Sequence, residues 1–433
     1  MTIGPAQAVR RFGFGRRGSE PLPDDVPGWL RSQLDAPDPL LSQTGPSIAN
    51  AALVMRQYED ARKSGAPLPP GFADLYANDM TAALQHAVST DLPFRERLVW
   101  FWNNHFTVSG RAGNWVFGLA GPYLRDAIRP HVTGRFADLL KAVMRHPGML
   151  TYLDNELSDG PDSPLGLKQH RGLNENLARE CLELHTLGVN GGYTQADVTA
   201  FAAILTGRST KLDGDDPPGF VFKADAHEPG PKHFMGREFP QGFAGSEAVL
   251  DFIAAHPATH RHLATQLVQH FAADTPPPAC VDRVATVLGD TGGDLKQAVL
   301  AIIDMPEAWQ PLTKFRAPAE YAVAVLRAVD LPPEPDARLF FATADLGQPF
   351  MGPLLPNGWP DTADEWVSGE ALLKRADWAM TQASRPGAPA AEAVADATLG
   401  DLCSPSTRAA IKACPTPAEA LATLFASPEF MRR

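Results

Sequence analysis

Apolar positions recur at three- and four-residue spacing along most of the chain, and the intervals between these runs are filled with Pro, Gly, Ser and Asp. That pattern predicts α-helices with sharp starts and stops. Helices are expected at 27–33, 47–63, 74–89, 94–106, 114–127 and 136–144. A central pair follows within 174–207, and a second series runs at 246–255, 257–272, 279–289, 293–304, 318–329, 369–382, 390–402, 406–414 and 417–426. Alternation of period two occurs at Phe220-Val221-Phe222, and the stretch His233–Gly236 lies beyond a Pro/Gly turn from it, which predicts one small β-hairpin. The expected fold is mainly α, a large multi-helix array with one small β-hairpin insertion. It divides into an N-terminal helical lobe (1–206), a loop and hairpin insertion (207–244) and a C-terminal helical lobe (245–433) packed on the first.

The central stretch, NENLARECLELHTLGVNGGYTQADVTAFAAILTG, is dense in ionisable side chains. At about 100° per residue, Leu177, Ala178, Cys181, Leu182, Leu184, His185 and Leu187 share one apolar arc, with Glu175, Arg179 and Glu183 opposite. Glu180 stands at the edge of the arc and His185 near its middle, so both are aimed at a core. Asn174 is a good N-cap and Gly188 a good terminator. Thr194 with Asp197 forms a capping-box pattern for the second helix.

Other ionisable groups stand out by position. His105 ends an aromatic stripe (Phe94, Leu98, Phe101, Trp102) and is either a hydrogen-bonded core residue or a ligand or base. Asp154 and Asn155 follow an apolar run, where Asx residues either turn the chain or point into a site. His227, Glu228, Lys232 and His233 sit in a Gly/Pro loop that is either surface polarity or an arm bringing ligands over the central helices. His256, His260, His262 and His270 look like a metal cluster, but His256 is the residue before a Pro-initiated helix and His262 and His270 are eight apart on one face, so they read as structural or solvent-facing. Gly13-Phe14-Gly15-Arg16-Arg17-Gly18 matches G-x-G-x-x-G, but no strand precedes it and prolines follow, so no dinucleotide site is expected.

Composition narrows the function classes. The 38 basic and 50 acidic residues give a formal charge of −12 with no basic run, which argues against nucleic acid. No apolar run reaches the roughly 18–20 residues needed to span a bilayer. The four cysteines lack C-x-x-C spacing, so reduced thiols are expected. Arg10-Arg11 is not followed by the apolar region of an export signal, so a cytoplasmic location is expected from the sequence itself.

Five blocks then carry a family resemblance across nearly the whole chain. They are RRFGFG; RLVWFWNNHFTVS; HPGMLTYLDN with the central stretch; FVFKADAHEPGPKHFMG; and the late segments LGQPF, NGWP and SPEF. On these the chain resembles the bacterial domain-of-unknown-function 1800 family, with His227-Glu228 where the family has His-Asp. The resemblance marks His105, Asp154, Asn155, Asn174, Glu175, Asn176, Arg179, Glu180, Glu183, His227 and Lys232 as motif positions. It implies no particular reaction. It does imply a partner: a sulfatase-like protein of the domain-of-unknown-function 1501 family, with which the chain would be exported to the periplasm.

Three functions follow as expectations. The first is a metal-assisted enzyme, hydrolytic or oxidative, in which His105, Glu180 and His227 hold a divalent zinc, iron or manganese ion, with Glu180, Asp154 and Lys232 as catalytic groups. A metal-free variant uses a raised-pKa Glu180 as acid or base. The second is a non-catalytic protein that binds or matures the sulfatase-like partner, its Asn/Glu/Arg set serving as a buried network. Haem binding through His105 or His227 is a third.

Overall fold

The computed structural model describes residues 4–41, 45, 47–69, 71–213, 217–332 and 338–433. Helices α1 (Pro5–Arg11), α2 (Val26–Asp35), α3 (Ile48–Ser64), α4 (Phe72–Ser89), α5 (Pro93–His105) and α6 (Asn114–Tyr123) lead into a single π-helical turn, Leu124–Ile128, just after Pro122. Then come α7 (Phe136–Arg145), α8 (Pro147–Tyr152), α9 (Pro164–Gln169), α10 (Asn176–Glu180) and α11 (Gln195–Leu205). After two small sheets, the chain continues as α12 (Phe243–Ala254), α13 (Pro257–Phe271), α14 (Pro278–Asp290), α15 (Leu295–Ile303), α16 (Pro318–Val329) and α17 (Arg338–Asp345). It closes with α18 (Gly369–Ala383), α19 (Ala391–Thr398), α20 (Pro405–Ala413), α21 (Pro417–Phe425) and α22 (Pro428–Met431).

The mainly helical fold is the expected one, and the start signals explain it. Proline occupies the first turn of many helices, where its missing N–H costs nothing. Thr194 and Asp197 form a complete capping box on α11, and Thr416 and Glu419 form another on α21. His146 and His256 cap the helices that begin at the following prolines, each Nδ1 accepting a backbone N–H.

The β structure differs from the expected single hairpin. Arg208–Lys211 (β1) pairs antiparallel with Gly219–Phe222 (β2), and Lys232–Phe234 (β3) pairs with Arg237–Phe239 (β4). The stretches at 220–222 and 233–236 therefore pair with their own neighbours. The reason for the second hairpin is local: Met235 and Gly236 both adopt positive φ (47° and 74°), the two-residue turn whose twist suits a tight hairpin.

One buried apolar cluster draws on side chains from Ala8 to Met351, and a second on side chains from Tyr321 to Met431. They meet at α16, which gives Ala319 and Val323 to the first and Tyr321, Ala322 and Val325 to the second. α16 is buried on nearly all sides, its two ionisable groups, Glu320 and Arg327, included. Its N-terminus opens on the cleft described below.

The G-x-G-x-x-G segment is held by its carbonyls. Gly13 accepts from Arg97 (2.9 and 2.7 Å), Phe14 from Arg316 (3.1 Å) and Gly15 from Arg327 (2.9 Å), all three guanidiniums being buried. A phosphate loop would present N–H groups instead.

Candidate functional site

The central motif is not one regular helix. α10 widens at Cys181–His185 into a π-helical turn, which Gly188 (φ 78°) ends by donating its N–H to the Leu182 carbonyl at 2.9 Å. The carbonyls of Leu184 and His185, left without helical partners, are taken by two imidazoles. His262 Nε2 lies 2.8 Å from the Leu184 oxygen, and His105 Nε2 lies 3.0 Å from the His185 oxygen. Gln266 joins the two rings, 2.5 Å from His105 Nδ1 and 3.1 Å from His262 Nε2.

Proton positions follow from these partners. Burial, then the neighbouring His262, lowers His105 to about 4, so its ring is neutral and carries one proton. That proton is on Nε2, because a carbonyl can only accept. Nδ1 must therefore accept, which requires the Gln266 amide, placed with Oε1 toward His105 Nδ1 and Nε2 toward His262 Nε2, to be turned over so that its nitrogen donates to His105. His105 is a structural clamp on the π turn.

A cleft of about 300 Å³ lies against this clamp, walled by α5, by Gln266 and His270 of α13, by the start of α16 and by residues 348–361. Two of the late sequence blocks build the outer wall. Gln348 accepts the N–H of Ala319 and so caps α16. Asn104 grips Trp359 at two points, donating to its carbonyl at 2.9 Å and accepting its N–H at 2.7 Å. That approach needs Gly358, since a Cβ there would stand 2.5 Å from the Asn104 carbonyl oxygen.

The floor is ionic. Glu320 pairs with Arg97 and, at 2.8 Å, with Arg433. Asp361 lies 3.0 Å from Arg433 and 2.7 Å from His270 Nδ1, while Lys314 donates to the Asp361 carbonyl at 2.7 Å. Burial pushes the Asp361 carboxyl up, but His270, Lys314 and Arg433 together hold it well below the usual carboxylate range. Glu320, against the same burial, is drawn down to about 2 by Arg433 and Arg97. Burial lowers His270 to about 4 despite Asp361. A neutral ring beside a carboxylate keeps its proton on Nδ1, so Nε2 is a bare lone pair, and it has no protein partner. Trp359 Nε1, a donor, is also buried without a partner.

The residues expected from sequence fall elsewhere, apart from His105. Among the described residues no group of three or more His, Cys, Asp or Glu is placed to hold a metal ion, so His105, Glu180 and His227 do not form one. The physical reason lies in their bonds. His227 Nε2 accepts the Gly242 N–H at 2.9 Å and Nδ1 donates to the Thr206 carbonyl at 2.8 Å, leaving no lone pair for a cation or haem iron. Lys232, 3.4 Å from that Nε2 and bonded to the Glu228 carbonyl, ties the loop to itself, while the hairpin packs on α11 through the Met235 N–H to Asp197 and Phe234 on Phe201. Asp154 is exposed, in the left-handed conformation (φ 55°), and turns the chain, while Asn155 bonds the carbonyls of Leu205 and Arg208. Glu180 is half-buried, raised by burial and then by Glu183, and does not line the cleft. Arg179 pairs with both Glu175 (2.9 Å) and Glu183 (3.5 Å), as the i,i±4 spacing predicts.

Sequence reasoning missed His270 and Asp361. The signal that pointed to them was the pair LGQPF and NGWP, rare residue types in a stretch with no helical period.

A family model described as "Protein of unknown function (DUF1800)" matches residues 7–432. The chain belongs to the DUF1800 family. No curated protein and no solved structure matches it. The DUF1800 match takes in every residue that lines the cleft. Among the described residues of this DUF1800 chain, no helix is long and apolar enough to cross a membrane.

Proposed function

We propose that this DUF1800 protein takes a small uncharged polar molecule into the cleft beside α5, α13 and α16, and that His270 acts there as a proton acceptor. The observation that carries the reading is the partnerless Nε2 of His270, on a ring whose Nδ1–H is fixed by Asp361. Charge balance supports an uncharged ligand. Arg97, Arg433 and Lys314 are matched by Glu320, Asp361 and Asp274, so with His270 neutral these floor groups carry no net charge to attract an ion into the cleft. Trp100, Phe101 and Phe350 offer flat apolar faces, and Asn103 and Asn357 offer amides. A hydroxylated or amide-bearing molecule presents both, and the volume stands at the small end of ligand sites.

The chemistry follows from the tautomer. A hydroxyl or water hydrogen-bonded to Nε2 becomes a better nucleophile as its proton moves to the ring, and Asp361 stabilises the imidazolium that forms. That favours hydrolysis or group transfer. The low proton affinity keeps the ring unprotonated through the neutral range.

The test is saturation-transfer NMR at neutral pH with glucose, N-acetylglucosamine and acetamide, on the native chain and on His270→Phe. At least one probe is expected to bind the native protein and to lose about tenfold in affinity in the variant, the loss of one hydrogen bond. Equal binding to both proteins, or none of the three binding, contradicts the reading.

A further inference from the structure

Behind the ionic floor of the cleft, a separate void of about 10 Å³ is lined by Arg10, Arg16 and Arg316 together with Gly15, Ala324, Thr398 and Phe430. No carboxylate lines it among the described residues. The space is about the least that admits one water-sized particle. Arg10 and Arg316 are each 1% exposed, and Arg10 Nε is buried with no hydrogen-bond partner. Arg10 Nη2 holds the carbonyls of Glu429 and Arg432, Arg316 Nε and Nη1 hold those of Phe430 and Phe14, and Arg16 holds those of Glu20, Ala397 and Ser19. Carbonyls satisfy N–H groups but do not cancel charge.

Of the acids near the cluster, Glu320 is bonded to Arg97 and Arg433, and Glu429 attracts Arg10 without bonding to it through its carboxylate, which accepts from the Ser404 N–H and the Thr407 hydroxyl. One carboxylate does not balance three guanidiniums. Burial, then repulsion from Arg10, pushes the Arg316 guanidinium well below its ordinary proton affinity. Cations brought together away from water cost several kcal/mol each unless an opposite charge joins them.

We infer that this void is a binding site for a single monatomic anion, chloride under ordinary conditions, which takes the free Arg10 Nε–H and neutralises the guanidinium cluster. A space of this size admits a halide only with a small outward shift of the flexible guanidiniums, and it excludes a sulfate or phosphate. Gly15 belongs to the site: its φ of 106° is a backbone state that L side chains rarely adopt, and a Cβ there would reach 3.8 Å from Arg316 Nη2. The ion would join the RRFGFG segment to α16 and to the SPEF segment, three stretches far apart in sequence.

The experiment has two readouts on the full chain. In thermal unfolding at constant ionic strength, replacing gluconate by chloride or bromide is expected to raise the midpoint by about 1–3 °C with saturation, and sulfate to give no saturable rise. Crystals grown in bromide are expected to show an anomalous peak between Arg10, Arg16 and Arg316. Arg10→Met, or Arg16→Gln if the first does not fold, is expected to abolish the halide dependence. Identical midpoints in chloride and gluconate, a bromide map with no peak in the void, or an unchanged halide dependence in the variant each overturn the proposal and assign the void to water.

Discussion

His270 and Asp361 are 91 residues apart in sequence, yet each fixes the other's protonation. The carboxylate sets the tautomer of the ring, and Arg433 and Lys314 keep the carboxylate ionised. Asp361→Asn removes the counter-charge of two buried cations and is expected to cost about 3–5 kcal/mol in chemical denaturation, as breaking a buried pair does. A loss below about 1 kcal/mol would show that Arg433 and Lys314 do not depend on it. His105 was legible as a residue on an aromatic stripe, because spacing alone places it there. Its role was not, because the carbonyl it holds is freed by a π turn that no wheel predicts. His270 read as structural for a similar reason: nothing near it in sequence announces an aspartate brought in by a Pro/Gly segment. Asp154 and His227 are satisfied by turns and carbonyls, which the residue types permitted and the family resemblance could not rank.

At the level of elements, the helices were legible because their caps are strong and their apolar faces periodic. The exceptions have physical causes. α8 and α9 are single short turns after prolines, and α17 begins beside a Pro-rich stretch, so none offers a window long enough to show a period. The π turn breaks the about 100° step on which Glu180 and His185 were placed. The second hairpin turns through Met235, a residue that composition does not mark as a turn former. The NGWP wall makes the sharpest element-level prediction. Gly358→Ala combines a φ of 75° with the contact against the Asn104 carbonyl, and is expected to lower stability by about 1–3 kcal/mol in urea denaturation. Full stability would mean that Asn104 does not hold the cleft wall as described.

On the scale of the whole molecule, burial of ionisable groups makes stability depend on pH. His105 and His270 are lowered to about 4, His146 to about 3, and His185 well below its ordinary 6.5, burial being the first cause for each. Because these values are lowered by folding, the unfolded chain binds more protons between 6.5 and about 4. Stability is therefore full above about 6.5 and falls as the pH drops through that window, by up to about 1.4 kcal/mol per pH unit for each histidine. A pH series of urea denaturation reads this slope, and a flat profile from 7 to 5 contradicts it. The most direct measurement of all is ¹⁵N NMR of the ring nitrogens of the 12 histidines across the same range. His270 is expected to stay neutral to about pH 4 with its proton on Nδ1 and a bare Nε2. A His270 that titrates near 6.5, or that carries its proton on Nε2, contradicts it.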